Sequence, residues 1–236
     1  KMAEKAGTYD PTGDERFPFH KDDLKYHHIK PKTKENSSAV IFFLMDVSGS
    51  MSMDRKFLAR SFFFLLYQFL NHKYEKVDVV FLSHSTTAKR VSEDDFFKVG
   101  TFGGTIISSC LNLELDIIEK EYHPNSWNIY SFYCGDGENW SSDNEKSLDL
   151  FKQIKEVSQL TAYCEINEHY GNFAEDEDST SSTEYPWPSF SSWKNEELEN
   201  LWSKLTPICD AKFKKVMIGQ TDHIWKSFNK LFGGGK

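Results

Sequence analysis

Basic runs are missing from this sequence. Lysine and arginine total 28 against 36 aspartates and glutamates in 236 residues, a formal net charge of −8. A surface that tracks nucleic-acid phosphates carries a basic excess or cluster, so nucleic acid is not an expected partner. Cysteine is sparse: Cys110, Cys134, Cys164 and Cys209 contain no C-x-x-C pair. The middle two sit in apolar, strand-like contexts, and the set reads as reduced core thiols of a cytoplasmic protein rather than as disulfides. No apolar run approaches the roughly 18 residues a membrane span needs, and no signal-peptide pattern is present, so no membrane role is expected. The chain begins at Lys1 without a methionine, which fits a piece of a longer polypeptide.

What the sequence does contain is an alternation of apolar strands and amphipathic helices. Residues 1–38 are polar and broken by Pro11, Pro18 and Pro31, and read as an arm or the remnant of an upstream region. From residue 39 the run "AVIFFLM" is a buried strand, and "RKFLARSFFFLLYQFLNHKY" carries Phe57, Leu58, Phe62, Leu65, Leu66 and Phe69 at helical spacing. "VDVVFLS" is the next strand, and "TTAKRVS" fits a short antiparallel edge strand. Helix, strand, helix and strand follow in "TIISSCLNLELDIIEKEY", "WNIYSFYC", "NEKSLDLFKQIKEV" and "LTAYCEI". "KNEELENLWSKL" reads as helix, "KFKKVMI" as strand and "DHIWKSFNKLF" as a last helix.

This order predicts an α/β fold: a doubly wound, mostly parallel six-stranded sheet with one antiparallel edge strand and helices on both faces. The domain is expected over 39–232. Two segments fall outside the rhythm, an acidic, serine-rich insertion at about 167–193 and a flexible glycine tail at 233–236.

In an open α/β sheet, sites form beyond the carboxyl ends of the strands where strand order reverses. Three such ends carry oxygen donors. The first strand delivers Asp46, Ser48 and Ser50 in "MDVSGSM", the loop "GTFGGTIISS" delivers Thr105, and "CGDGEN" delivers Asp136. Two carboxylates and three hydroxyls are all hard oxygen, which suits Mg²⁺ or Mn²⁺ and disfavours zinc. Two carboxylates only just neutralise a divalent ion, so the ion stays electrophilic toward a carboxylate brought by a partner. Gly49 is expected to permit a tight turn, and Gly103 and Gly104 a close approach of the second loop to the ion. His84, ending the second strand, and Glu138, beside Asp136, are candidates to contact a partner.

D-x-S-x-S after an apolar strand, then threonine in a Gly-rich loop, then aspartate after a later strand, resembles the metal-ion-dependent adhesion site of von Willebrand factor type A domains. The resemblance implies Ser48, Ser50 and Thr105 as metal ligands, with Asp46 and Asp136 acting directly or through water. "HSTTAKRVSEDDFF", "GGTIISS", "WNIYSFYCGDGENW" and "AYCEI" extend it, over residues 20–166, to the sporulation and stress-response family of YhbH and YeaH. In "CGDGEN", the glutamate departs from the expected Ser-Asp-Gly-Asp-Asn while Asp136 stays in place. The resemblance implies a cytoplasmic, non-enzymatic protein–protein interaction module. Its partner would offer an Asp or Glu, with a PrkA-type serine protein kinase and a SpoVR-like protein as candidates.

Taken alone, "DVSGSM" reads equally well as a helix-capping loop. The pair "DVSGS" and "GDGEN" also resembles the haloacid-dehalogenase phosphotransferases, with Asp46 as nucleophile and Asp136 as metal ligand. Ser48 lacks the general-acid ability needed two positions after such a nucleophile. The helix also begins too soon to leave room for a flap, and "GGT" has no place in that scheme. Trp127 and Trp140 read as packing residues, and the histidines at 27 and 28 lack the spaced ligands of a zinc site.

Overall fold

The computed structural model describes residues 37–98, 103–167 and 198–233. Apolar strands buried on both faces build its sheet. Strand β1 (Ser38–Asp46) is buried along nearly its whole length, which is why it reads as a continuous apolar run rather than an alternating one. Helix α1 (Met53–Lys73) returns the chain to β2 (Lys76–His84), and β3 (Ala88–Val91) folds back antiparallel on its outer edge.

A short helix α2 (Glu93–Phe96) follows, then α3 (Ile107–Glu121) and β4 (Asn128–Gly135). The small strand β5 (Glu138–Trp140) leads through a 3-10 turn (Ser141–Asp143) into α4 (Asn144–Val157) and β6 (Leu160–Ile166). The last part comprises β7 (Leu198–Asn200), α5 (Trp202–Leu205), β8 (Phe213–Ile218) and α6 (Thr221–Phe232).

The main sheet has the order β3-β2-β1-β4-β6-β8, parallel throughout except for β3, as expected. Strand order reverses between β1 and β4, and the crevice at their carboxyl ends is the switch point of a doubly wound sheet. Successive side chains of each strand alternate between two cores. Ile41, Phe43 and Met45 pack with Phe62, Phe63 and Leu66 of α1 and with Ile224 and Phe228 of α6. Val40, Phe42 and Leu44 pack on the opposite face with Cys110 and Leu111 of α3 and Phe151 and Ile154 of α4. The four cysteines are free, and Cys110, Cys134 and Cys164 are buried as expected. No helix among the described residues is long and apolar enough to cross a membrane.

One expected helix is corrected. In "KNEELENLWSKL", Leu198–Asn200 forms β7, paired antiparallel with β5 in a separate two-stranded sheet, and among the described residues of the segment only Trp202–Leu205 is helical. The backbone of Leu201 donates to Gly137 O at 3.2 Å, so this segment is tied to the loop after β4 instead of continuing as helix. The short helix α2, whose Phe96 is fully buried, adds an element that the sequence pattern does not announce. The expectations for the N-terminal arm, the acidic insertion and the tail fall, but for their border residues, outside the described residues.

Candidate metal centre

Asp46 is the last residue of β1, and Asp136 immediately follows β4, so two carboxylates rise from adjacent strands at the switch point. After Asp46 the chain turns at once: Ser48 N–H donates to Asp46 Oδ1 at 2.7 Å, and Met51 N–H to Ser48 O at 3.1 Å. The helix beyond is capped by Ser52, whose hydroxyl accepts from Arg55 N–H at 3.2 Å. Capping therefore falls to Ser52. The hydroxyls of Ser48 and Ser50 instead face each other, Oγ to Oγ at 3.1 Å. A Cβ at Gly49 would meet nothing within 4 Å, and its φ is not positive, so the turn does not demand the glycine expected there.

Thr105 enters from the loop before α3. Its Oγ1 donates to Asp46 Oδ2 at 3.3 Å, and the residue is buried rather than displayed on a surface loop. Ile106 N–H donates to Ser85 O at 2.8 Å and Trp140 N–H to Thr105 O at 3.2 Å, pinning the loop from both sides. Gly104 lies against the Trp140 indole so closely that a Cβ would collide with Nε1. The glycine is needed for this packing. Helix α3 has no side-chain cap from its own N-cap residue; Asn139 Oδ1 accepts Ile107 N–H at 3.0 Å and Asp143 Oδ2 accepts Ser108 N–H at 2.9 Å. The segments that carry Thr105 and Asp136 are thus held to each other.

The electrostatics centre on Asp46. Burial, and then the negative charge of Asp136, push its carboxyl up to about 7, although the Ser48 N–H and the Thr105 hydroxyl favour the charged form. Arg55 Nη1 reaches Asp136 Oδ2 at 3.4 Å and donates to Ser50 O at 3.0 Å. Lys56, largely buried, has its ammonium pKa lowered by burial, with the charge of Asp46 working against that shift. Neither residue was singled out from the sequence. The signal was present: two cations in the first turn of a helix oppose its macrodipole and call for a local anion.

His84 and Glu138 part company. Glu138 is exposed at the rim, its N–H donating to Asp136 Oδ1 at 3.1 Å, and burial of its carboxyl together with the Asp136 charge raises its pKa. His84 pairs in register with Asp46 but is only 1% exposed, its ring beside Tyr133 at 5.5 Å between centroids. Burial lowers its pKa to about 4, and Nε2 has no hydrogen-bond partner. It is out of a partner's reach, which corrects its assignment as a contact residue.

The convergent atoms are carboxylate and hydroxyl oxygens, and burial and the charge of Asp136 raise the cost of ionising Asp46. Such a donor set fits a small hard divalent ion. Among the described residues no group of three or more His, Cys, Asp or Glu side chains gathers to hold a metal, so binding at this place would depend on the hydroxyls.

The sequence profile of a family described as "Protein of unknown function (DUF444)" matches residues 3–234. A "UPF0229 protein" of Ruminiclostridium cellulolyticum is 43% identical over 219 residues, which are 93% of this chain and 49% of that protein. Another, of Clostridium perfringens, is 50% identical over 151 residues, 64% of this chain and 38% of that protein. The chain spans about half the length, or less, of these curated relatives. Among solved structures, an aerotolerance-related membrane protein from Bacteroides fragilis superposes with a TM-score of 0.52 and 13% identity, covering 83% of this chain and 98% of that one. The pilus adhesin SpaC from Lactobacillus rhamnosus GG gives 0.51 and 12%, covering 82% and 29%. At these identities the likeness is one of fold alone.

Proposed function

The chain belongs to the DUF444 family, and on that premise we propose that its α/β domain is a metal-dependent protein–protein interaction module of the von Willebrand factor type A kind. The observation that carries this reading is the pair of hydroxyls on Ser48 and Ser50, 3.1 Å apart and released from helix capping by Ser52, above the buried carboxyl of Asp46. Asp46, Ser48, Ser50, Thr105 and Asp136 would hold Mg²⁺ or Mn²⁺. The ion would supply a Lewis-acidic coordination position, and the protein would leave that position for a partner's Asp or Glu. Arg55 offsets part of the acidic charge at Asp136, so the site admits an incoming carboxylate without collecting one from its own chain.

The resemblance to the sporulation and stress-response family of YhbH and YeaH makes a PrkA-type serine protein kinase the first partner to test and a SpoVR-like protein the second, in the cytoplasm. We propose no catalysis, because in this reading the hydroxyls of Ser48, Ser50 and Thr105 are committed to the metal. Titration calorimetry with Mn²⁺ on the wild type and on Asp46→Ala tests the metal, with binding lost in the variant. Equal binding by both proteins removes the reading. Turnover of a generic phosphatase substrate that disappears in Asp46→Asn would replace it with a phosphotransferase.

A further inference from the structure

At the amino ends of the strands, far along the sheet from Asp46, β2 is left incompletely paired. Strand β3 pairs only with Phe81–His84, so residues 76–80 have no strand on their outer side among the described residues. Alternate N–H and C=O groups of that stretch form an open edge, which folded proteins ordinarily blunt with charge, proline or a bulge. The charged residues here are Lys76 and Asp78, paired with each other at 3.7 Å, and Lys76 lies over the Trp127 ring on the α3 side of the sheet. The other side is apolar. Val77 and Val79, both half-buried, line a cavity of about 350 Å³ with Phe97 and Phe64, and Phe64 stands 63% exposed at its rim. Arg60 of α1, set over the Phe97 ring at 5.1 Å, and Glu93 of α2 place one charge of each sign on the lining.

The geometry points to a second interaction surface: the open edge of β2 accepts an extended segment of a partner protein as an added strand, with alternate apolar side chains entering the cavity. Its charges complement the lining, an acidic residue toward Arg60 and a basic one toward Glu93. Backbone groups awaiting partners specify a strand, and a cavity beside them specifies alternate side chains. A second copy of this chain fits poorly. Antiparallel pairing of two such edges about their midpoint would set Asp78 opposite the second copy's Asp78, and like charges directly across a strand pair are destabilising. The surface lies at the opposite end of the strands from the metal centre and is independent of it.

The test is selection of a random heptapeptide library on the whole chain in EDTA, so that the metal site does not contribute. Selected peptides should alternate apolar and polar residues and carry an acid, and the synthesised consensus should slow amide exchange at residues 76–80. Methylating alternate amide nitrogens of that peptide should abolish binding, and Val79→Lys and the exposed Phe64→Ser should each weaken it at least tenfold. The inference is overturned if nothing is enriched above background. It is equally overturned if the peptides bind both variants and the N-methylated form as before, or protect α1 alone, which would indicate helix docking.

Discussion

Arg55 and Asp136, 81 positions apart in the chain, meet at 3.4 Å across the mouth of the candidate metal centre. The guanidinium carries the same sign as the divalent ion proposed for this site. Its position is fixed by a second bond, to Ser50 O.

Arg55→Gln should therefore tighten metal binding. Removing one partly screened positive charge at this range is worth about 1 kcal/mol, or a five- to tenfold gain in Mn²⁺ affinity. Calorimetry at moderate ionic strength measures it. Unchanged or weaker binding would mean that Arg55 positions the Ser50 backbone for the ion rather than competing with it.

Thr105→Ala removes a neutral donor and leaves both carboxylates. We expect weaker retention of the ion, a larger loss of partner binding, and a circular dichroism spectrum like the wild type's, because the backbone bond from Trp140 N–H to Thr105 O survives. Thr105→Ser, which keeps the hydroxyl, should restore both kinds of binding. Failure of serine to rescue would assign the effect to packing of the buried side chain instead of to its oxygen.

Much of this arrangement is legible in the sequence. Strands buried on both faces write themselves as unbroken apolar runs, so β1, β2, β4, β6 and β8 were legible, and the switch point followed from the alternation. Asp46, Ser48, Ser50, Thr105 and Asp136 were legible because each stands at the mouth of such an element, and the structure gathers them there. Leu198–Asn200 was not, because the glutamates and leucines of "KNEELENLWSKL" around it have helical spacing while its conformation is set by pairing with Glu138–Trp140. Tertiary contact overrode local preference. His84 was misjudged for a related reason: a polar residue ending a strand reads as exposed, and only the packing of Tyr133 over it reveals burial. Arg55 and Lys56 carry a signal, two cations in the first turn of a helix, but which carboxylates they meet is set by tertiary packing.

Glu114, on the sheet-facing side of α3, is fully buried with neither carboxyl oxygen hydrogen-bonded. Burial pushes its pKa from 4.5 to about 8, with the nearby Ser131 hydroxyl favouring the charged form. Cys110, the preceding turn's residue on that face, is itself a buried, protonated thiol. A carboxyl whose folded pKa exceeds its unfolded value contributes stability that is fully present below about pH 4.5 and is lost as pH rises toward 8. Glu114→Gln removes this titration, so its melting temperature relative to wild type should climb between pH 5 and pH 8.5, by roughly 5 °C or more. Melts in EDTA measure the change. A constant difference across that range would show that Glu114 is ionised and paired in the folded protein.

Two glycines separate the turn from the site. At Gly49 an added methyl has open space and an ordinary φ, so Gly49→Ala should leave both stability and metal affinity within experimental scatter. At Gly104 the same methyl drives into the Trp140 indole, and relief requires either the ring or the Thr105 loop to move. Overpacking of this kind costs about 1–3 kcal/mol. Because the Trp140 backbone N–H is bonded to Thr105 O and Thr105 Oγ1 to Asp46 Oδ2, a shift of the Thr105 loop that relieves the clash carries the threonine away from the carboxylate. Gly104→Ala should therefore lower the melting temperature, shift the tryptophan emission and weaken Mn²⁺ binding together. If the emission shifts while metal affinity holds, the loop absorbs the strain elsewhere and Thr105 is not placed by Trp140.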